Sequence, residues 1–209
     1  MIVVIDYDMG NLKSIANAFK ALGLPVEVSG EPDVLARADG IVLPGVGAFG
    51  DGMKNLERRG LLPVLNDKVV RNKTPYLGVC LGMQFLAELG LEHGEHKGLG
   101  WIPGSCVRIQ SKNPALKVPH MGWNDLQLTR PESPLLREVA DGTAFYFVHS
   151  YHFVPADTAC VIATADHGGT LTAAVQQAHI FGVQFHPEKS QGAGLKLLRN
   201  FADLVAARA

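Results

Sequence analysis

The chain has 209 residues, 47% of them hydrophobic and 19% charged, with a formal net charge of -1. That length and apolar content support one packed domain over 1–209 and exclude a disordered chain. The near-neutral charge offers no basic face for nucleic acid or an anionic membrane, and no apolar run reaches the roughly 18 residues of a membrane span. The opening MIVVIDYDMGN has no basic segment or cleavage-like site, so it reads as a first strand and not as a signal peptide. Cys80, Cys106 and Cys160 are odd in number and widely spaced, which describes neither a disulfide framework nor a zinc site and suits a reducing cytoplasm.

In chain order, Ile2 to Ile5 is a β-branched strand, and from Asn11 onward Leu12, Ile15, Ala16, Phe19 and Leu22 fall at helical spacing, with Gly23 as a stop. Pro25 to Val28 and Gly40 to Leu43 predict a second and a third strand. Leu61 to Val70 predicts a helix with Pro63 in its first turn. Tyr76 to Val79 is a fourth strand, followed by Leu81, Phe85, Leu86 and Leu89 as a helical pattern. Alternating strands and helices imply a parallel sheet covered on both faces.

Between Ser105 and Phe185 the strand-like runs crowd together: 106–109, 124–128, 144–148, 160–164, 171–175 and 180–185. Antiparallel hairpins beside the parallel part follow. Leu197, Leu198, Phe201, Leu204 and Val205 mark an amphipathic final helix. The expected class is α/β: an open, mostly parallel sheet flanked by helices, with an antiparallel β extension.

The most informative stretch is Gly78-Val-Cys-Leu-Gly82, where a buried strand passes at once into a helix. A free cysteine is most often a small core residue. Glycines two residues to either side match instead the thiol form of the nucleophile elbow, a strained turn that presents its side chain to substrate. The helix start favours the thiolate, and the Leu81 N–H is a candidate oxyanion donor. Cys106 and Cys160 lack such glycines and read as core thiols.

A cysteine nucleophile wants a histidine oriented by a third group. His186 ends an apolar strand and Glu188 follows across Pro187; an extended segment would point both side chains the same way. His93 and His96 lie in a polar, Gly-rich stretch that reads as a solvated loop and not as a metal site. Gly45, Gly47 and Gly50 form a loop suited to an anion, without the signature of a phosphate or dinucleotide site, and a plain Gly-rich turn is an equal reading. The polar segments 6–11, 118–124 and 146–151 are binding candidates, with capping and turn chemistry an equal reading for Asn11 and Asn124.

Gly78-Val-Cys-Leu-Gly-Met-Gln84 with Gly182-Val-Gln-Phe-His-Pro-Glu188 resembles the class I, triad-type glutamine amidotransferases. Together with IDYDMGNLKS, LPGVGAFG, VPHMGWN and YFVHSY, the pattern is similar to the glutaminase subunits that serve imidazole glycerol phosphate synthesis, and it spans residues 5 to 190. The resemblance implies a flavodoxin-like amidotransferase fold with no cofactor or metal, and a triad of Cys80, His186 and Glu188 acting on L-glutamine through a γ-glutamyl thioester. It implies that Gly47, Gln84, Ser150 and Tyr151 hold the glutamine, with His149 close by, and that Val46 and Leu81 supply the oxyanion N–H groups. It implies a heterodimer in which ammonia passes to a separate (β/α)8-barrel cyclase, with Asn11, Met121, Trp123, Tyr146 and Lys189 near the interface. The family usually has glycine where this chain has Asp8.

Two other readings stand beside this one. One is an amidotransferase serving anthranilate, GMP or CTP synthesis; the other is a partner-free cysteine hydrolase of related topology. Dependence of glutaminase activity on a cyclase separates them.

Overall fold

The computed structural model describes residues 1–208. The first half runs β1 (Ile2–Ile5), α1 (Leu12–Ala21), β2 (Val26–Ser29), α2 (Pro32–Ala36), β3 (Gly40–Gly45), α3 (Phe49–Arg58), α4 (Leu61–Leu65), β4 (Tyr76–Cys80) and α5 (Leu81–Gln84). The second half runs β5 (Leu89–Gly90), β6 (His96–Lys97), β7 (Gly104–Arg108), β8 (His120–Asp125), β9 (Gln127–Leu128), β10 (Ala144–His149) and β11 (Tyr151–Pro155). It ends with β12 (Val161–Asp166), β13 (Thr170–Gln177), β14 (Ile180–Val183) and α6 (Gln191–Ala206).

Eight strands form the main sheet in the order β2-β1-β3-β4-β14-β13-β12-β9. The first five are parallel, and β13, β12 and β9 continue the sheet antiparallel. The parallel part therefore has the doubly wound order in which ligands bind beyond the carboxyl ends of the strands. β8 pairs with β10 in a separate ribbon, and β11, β7, β5 and β6 make a third small sheet.

The central parallel strands β1, β3, β4 and β14 are buried along their whole length because both faces are covered, whereas the edge strand β2 is partly exposed. On one side Ile2, Val4, Val42 and Val79 pack with Ile15, Phe19, Leu198 and Phe201. On the other, Val3, Ile5, Ile41 and Leu43 pack with Leu56, Leu61, Leu65 and Leu81. Truncating one such fully buried leucine to alanine costs ~2–5 kcal/mol, so α6, which buries Leu197 and Leu198, is a structural anchor of the sheet. Asn11 caps α1, its Oδ1 accepting the Ser14 N–H at 3.3 Å.

Several elements depart from expectation: in the second half β11 falls outside the predicted strand runs and the run 124–128 is divided between β8 and β9, and three more departures lie in the first half. α3 escapes the hydrophobic pattern because Gly50 and Gly52 dilute it, although Phe49, Met53 and Leu56 still share one face. The helix of residues 61–70 is α-helical only to Leu65 and widens to a π-helical stretch over Asn66–Arg71. α5 stops at Gln84, because the next carbonyls are taken by another segment: Leu99 N donates to Phe85 O at 2.7 Å, Ile102 N to Leu86 O at 3.1 Å and Gly100 N to Ala87 O at 3.0 Å. Leu89 then belongs to β5 instead of a helix.

Candidate active site

The β3, β4 and β14 strands end side by side, with Gly45 opposite Cys80 and Gly182 opposite Gly78. Cys80 is the last residue of β4 and the N-cap of α5, at φ 56° and ψ −107°. Such a conformation costs a non-glycine residue ~1–3 kcal/mol and persists only where its surroundings enforce it. The enforcement is visible in the two flanking glycines. A side chain on Gly82 would collide with the Leu43 carbonyl, and one on Gly78 with the Gly82 backbone. Leu81 opens α5, so its N–H has no partner within the helix and is free for an oxyanion. A four-residue helix carries little macrodipole, so thiolate stabilisation falls to nearby groups.

His186 is that group. Its Nδ1 lies 2.8 Å from Glu188 Oε1, and both side chains are buried. The geometry differs from the extended segment expected: β14 ends at Val183, and Pro187 opens a 3-10 turn over Pro187–Lys189 that folds the Glu188 carboxylate back onto the ring. His186 Nε2 has no hydrogen-bond partner and is the nitrogen left for proton transfer. Burial lowers the imidazole pKa, but the Cys80 and Glu188 side chains outweigh it and push it up to about 9. An imidazolium beside a cysteine is the companion a reactive thiolate needs.

A cleft of about 480 Å³ opens on Cys80, a size suited to a small metabolite. Val46, Gly47, Leu81, Gln84, His149, Ser150 and Tyr151, singled out from the sequence, all line it. The Tyr7 hydroxyl, buried without a partner, occupies the space beside Gly45 that a side chain would fill. Burial, reinforced by Cys80, pushes its pKa far up, so it stays protonated.

Three further residues went unnoticed in the sequence. Gln184, fully buried in an apolar run, donates Nε2 to the Cys80 sulfur at 3.6 Å and accepts Gln84 Nε2 on Oε1 at 3.2 Å. Its polarity among Val183 and Phe185 was the available signal. Ser190 donates its hydroxyl to His186 O at 2.6 Å and accepts the Tyr146 N–H at 3.0 Å, tying the histidine turn to β10. Glu92 lines the cleft and accepts the Phe49 N–H at 2.9 Å. It belongs to the stretch read as a solvated loop, and nothing local in the sequence marks it. His96 in that stretch packs its ring against Gly50.

Residues 3–204 match the family model for glutamine amidotransferase class-I. The chain belongs to the class-I glutamine amidotransferases. Among curated relatives of this amidotransferase, the imidazole glycerol phosphate synthase subunit HisH of Zymomonas mobilis is 50% identical over 206 residues, covering 97% of this chain and 95% of the relative. The protein of that name from Aquifex aeolicus is 47% identical over 200 residues, covering 95% and 94%. Solved structures share the fold: PurLQS from Thermotoga maritima superposes with a TM-score of 0.75 at 20% identity, covering 98% of each chain. A crystal structure described as glutamine amidotransferase gives 0.75 at 20% identity, covering 99% of this chain and 100% of the other.

The amidotransferase presents one aromatic patch beside the cleft. Met121 and Trp123 on β8 are 66% and 51% exposed, unusual for such large apolar side chains. Trp123 stands opposite Tyr146 on β10, with ring centroids 6.1 Å apart, and Lys189 Nζ lies 5.7 Å above the Tyr146 ring. Four of the five residues expected at a partner surface thus share one region, while Asn11 serves as the α1 cap. Asp8, at φ 68°, is held by Arg58 at 2.8 Å and Arg59 at 2.7 Å. Among the described residues no helix is long and apolar enough to cross a membrane.

Proposed function

We propose that this chain is the glutaminase subunit of an imidazole glycerol phosphate synthase, acting as one amidotransferase unit on L-glutamine and passing ammonia to a cyclase subunit in histidine biosynthesis. The observation that carries the reading is the Cys80–His186–Glu188 arrangement in a chain 50% identical, over nearly its full length, to a HisH subunit. In this reading the Cys80 thiolate attacks the side-chain carbonyl of glutamine, and the oxyanion is received by the N–H groups of Leu81 and Val46. His186, oriented by Glu188, donates its Nε2 proton to the leaving nitrogen, and ammonia departs. The γ-glutamyl thioester is then attacked by water, with His186 taking the water's proton, and glutamate leaves as Cys80 is regenerated.

Gly47, Gln84, Ser150 and Tyr151 line the cleft where the amino-acid end of glutamine would lie, and the Glu92 carboxylate suits its α-ammonium. Both ring nitrogens of His149 are engaged within the protein, so its contribution is to shape the site. The patch of Met121, Trp123, Tyr146 and Lys189 suits a partner of mixed apolar and acidic surface, here a (β/α)8-barrel cyclase.

Cys80→Ala in the complex should abolish glutamine-dependent synthesis and leave synthesis from ammonium salts intact. Glutamine turnover by that variant would overturn the mechanism. Adding the cyclase with its nucleotide ligand should raise glutaminase activity by orders of magnitude; equal activity of the chain alone would favour a partner-free hydrolase.

A further inference from the structure

A continuous hydrogen-bonded path leaves the nucleophile and ends at the far side of β8. From Gln184, which donates to the Cys80 sulfur, it passes to Gln84, whose Nε2 also donates to Tyr151 O at 2.9 Å. Tyr151 O accepts as well from His149 Nδ1 at 2.8 Å. His149 Nε2 lies 2.9 Å from His120 Nδ1, and His120 Nε2 lies 3.0 Å from Asn124 Nδ2. Asn124 Nδ2 donates onward to Asp166 O at 2.8 Å, while its Oδ1 accepts the Asp125 N–H at 2.9 Å.

The direction of every donor is forced. A carbonyl only accepts, so His149 carries its hydrogen on Nδ1, and its Nε2 accepts from His120 Nδ1–H. His120 Nε2 then accepts from Asn124, whose amide orientation is set by its two backbone partners. Neither imidazole can take a second proton without facing N–H against N–H. Both rings are buried, and His120 stacks on Phe147 with centroids 4.6 Å apart. The titratable groups facing the pair are His167, whose ring centroid is 4.4 Å from that of His120, and His152 on β11.

We propose that His120 is a positioning residue for the glutamine site, fixing through His149 the strand end of residues 148–151 and, through Tyr151 O, Gln84 and Gln184, the sulfur of Cys80. This rests on the glutaminase reading above. His120 and His149 are directly opposed across β8 and β10, so the contact pins the register of the ribbon where it meets the cleft. β8 turns Met121 and Trp123 to solvent while its neighbour His120 is buried. A partner seated on that exposed face therefore presses on the same strand that anchors the path.

Nitrogen-15 NMR of the full chain tests the path independently of activity. Wild type should show His120 and His149 both neutral at pH 6 and both protonated on Nδ1, the minority tautomer of free imidazole. Protonation on Nε2 in either ring would overturn the proposal. His120→Phe keeps the stacking but leaves His149 Nε2 without a donor, so His149 should titrate nearer an ordinary imidazole. In the complex with cyclase, its kcat/KM for glutamine should gain a new acid inflection between about pH 5 and 7, where free imidazole titrates, with KM raised about fivefold to tenfold for one lost positioning contact. His120→Asn, whose amide can still donate to His149, should recover most of both. Unchanged KM and pH profile in His120→Phe, or equal defects in the two variants, would overturn it. Absence of glutamine hydrolysis in wild type would instead reject the glutaminase reading and leave the tautomer result standing.

Discussion

Gln184 donates its carboxamide to the sulfur of Cys80 at 3.6 Å, from a fully buried position between Val183 and Phe185. A buried amide without partners costs ~1–3 kcal/mol, and here Gln84 and Cys80 satisfy it. A donor aimed at sulfur can stabilise the negative charge the sulfur carries during reaction.

Gln184→Leu should therefore lower kcat/KM for glutamine by about tenfold, the loss expected for one hydrogen bond to a charged group. Gln184→Met, also without a donor, should behave alike. A kcat/KM for glutamine equal to wild type in both variants would show that Gln184 only fills space.

The buried histidines predict a stability maximum bounded on both sides. Burial lowers the pKa of His120 and of His152 to about 4 and that of His149 to about 3. The unfolded chain takes up these protons near pH 6.5, so stability should fall progressively from about pH 6.5 toward pH 4. His186 runs the other way. With its pKa raised to about 9, it stabilises the fold fully below about pH 6.5, and that contribution is lost as the pH rises through 9. Chemical denaturation from pH 4 to 10 checks both limbs, and in Glu188→Gln the alkaline limb should move to lower pH. An alkaline limb identical in Glu188→Gln would remove the ion pair as its cause.

Much of this site was legible because its signals are local. Glycines at 78 and 82 announce a strand and helix in contact, and the observed φ of Cys80 is the strain such a turn implies. The parallel core was legible because strands buried on both faces read as unbroken apolar runs. The early end of α5 was not, since the groups that take its carbonyls come from residues 98–102. Glu92 lines the cleft and its carboxylate accepts the Phe49 N–H, 43 residues away in sequence. The His186–Glu188 contact was foreseen for a reason that proved different, because the residue after a strand end is free to turn and Pro187 opens the 3-10 turn.

Trp123 and Met121 are more exposed than large apolar side chains usually are, and Trp123 touches the fold chiefly through Tyr146 across the ribbon. Trp123→Ala should lower the unfolding free energy by no more than about 1 kcal/mol, the worth of its cross-strand pair with Tyr146. Binding to the cyclase should weaken by at least about 2 kcal/mol, the range of an aromatic hot spot. Calorimetric titration against the cyclase reads this directly, and unaltered affinity would move the interface elsewhere.

Asp8 stands at φ 68°, a backbone conformation that favours glycine, and it bridges Arg58 and Arg59. Two effects compete. A left-handed aspartate costs up to about 1–2 kcal/mol, whereas half-exposed ion pairs are worth ~0–1 kcal/mol each and are screened by salt. Asp8→Gly removes both and should change stability by less than about 1 kcal/mol, the near-balance of those two terms. Asp8→Asn keeps the strain and drops the charge, so it should be the less stable variant at low salt. Its deficit against wild type should shrink as salt approaches 1 M, where the screening length is about 3 Å. Met9 next along packs against Gly47 in the loop after β3, so loosening at Asp8 should also raise hydrogen exchange at Gly47. If Asp8→Asn matches wild type at low salt, the arginine pair does not hold this loop.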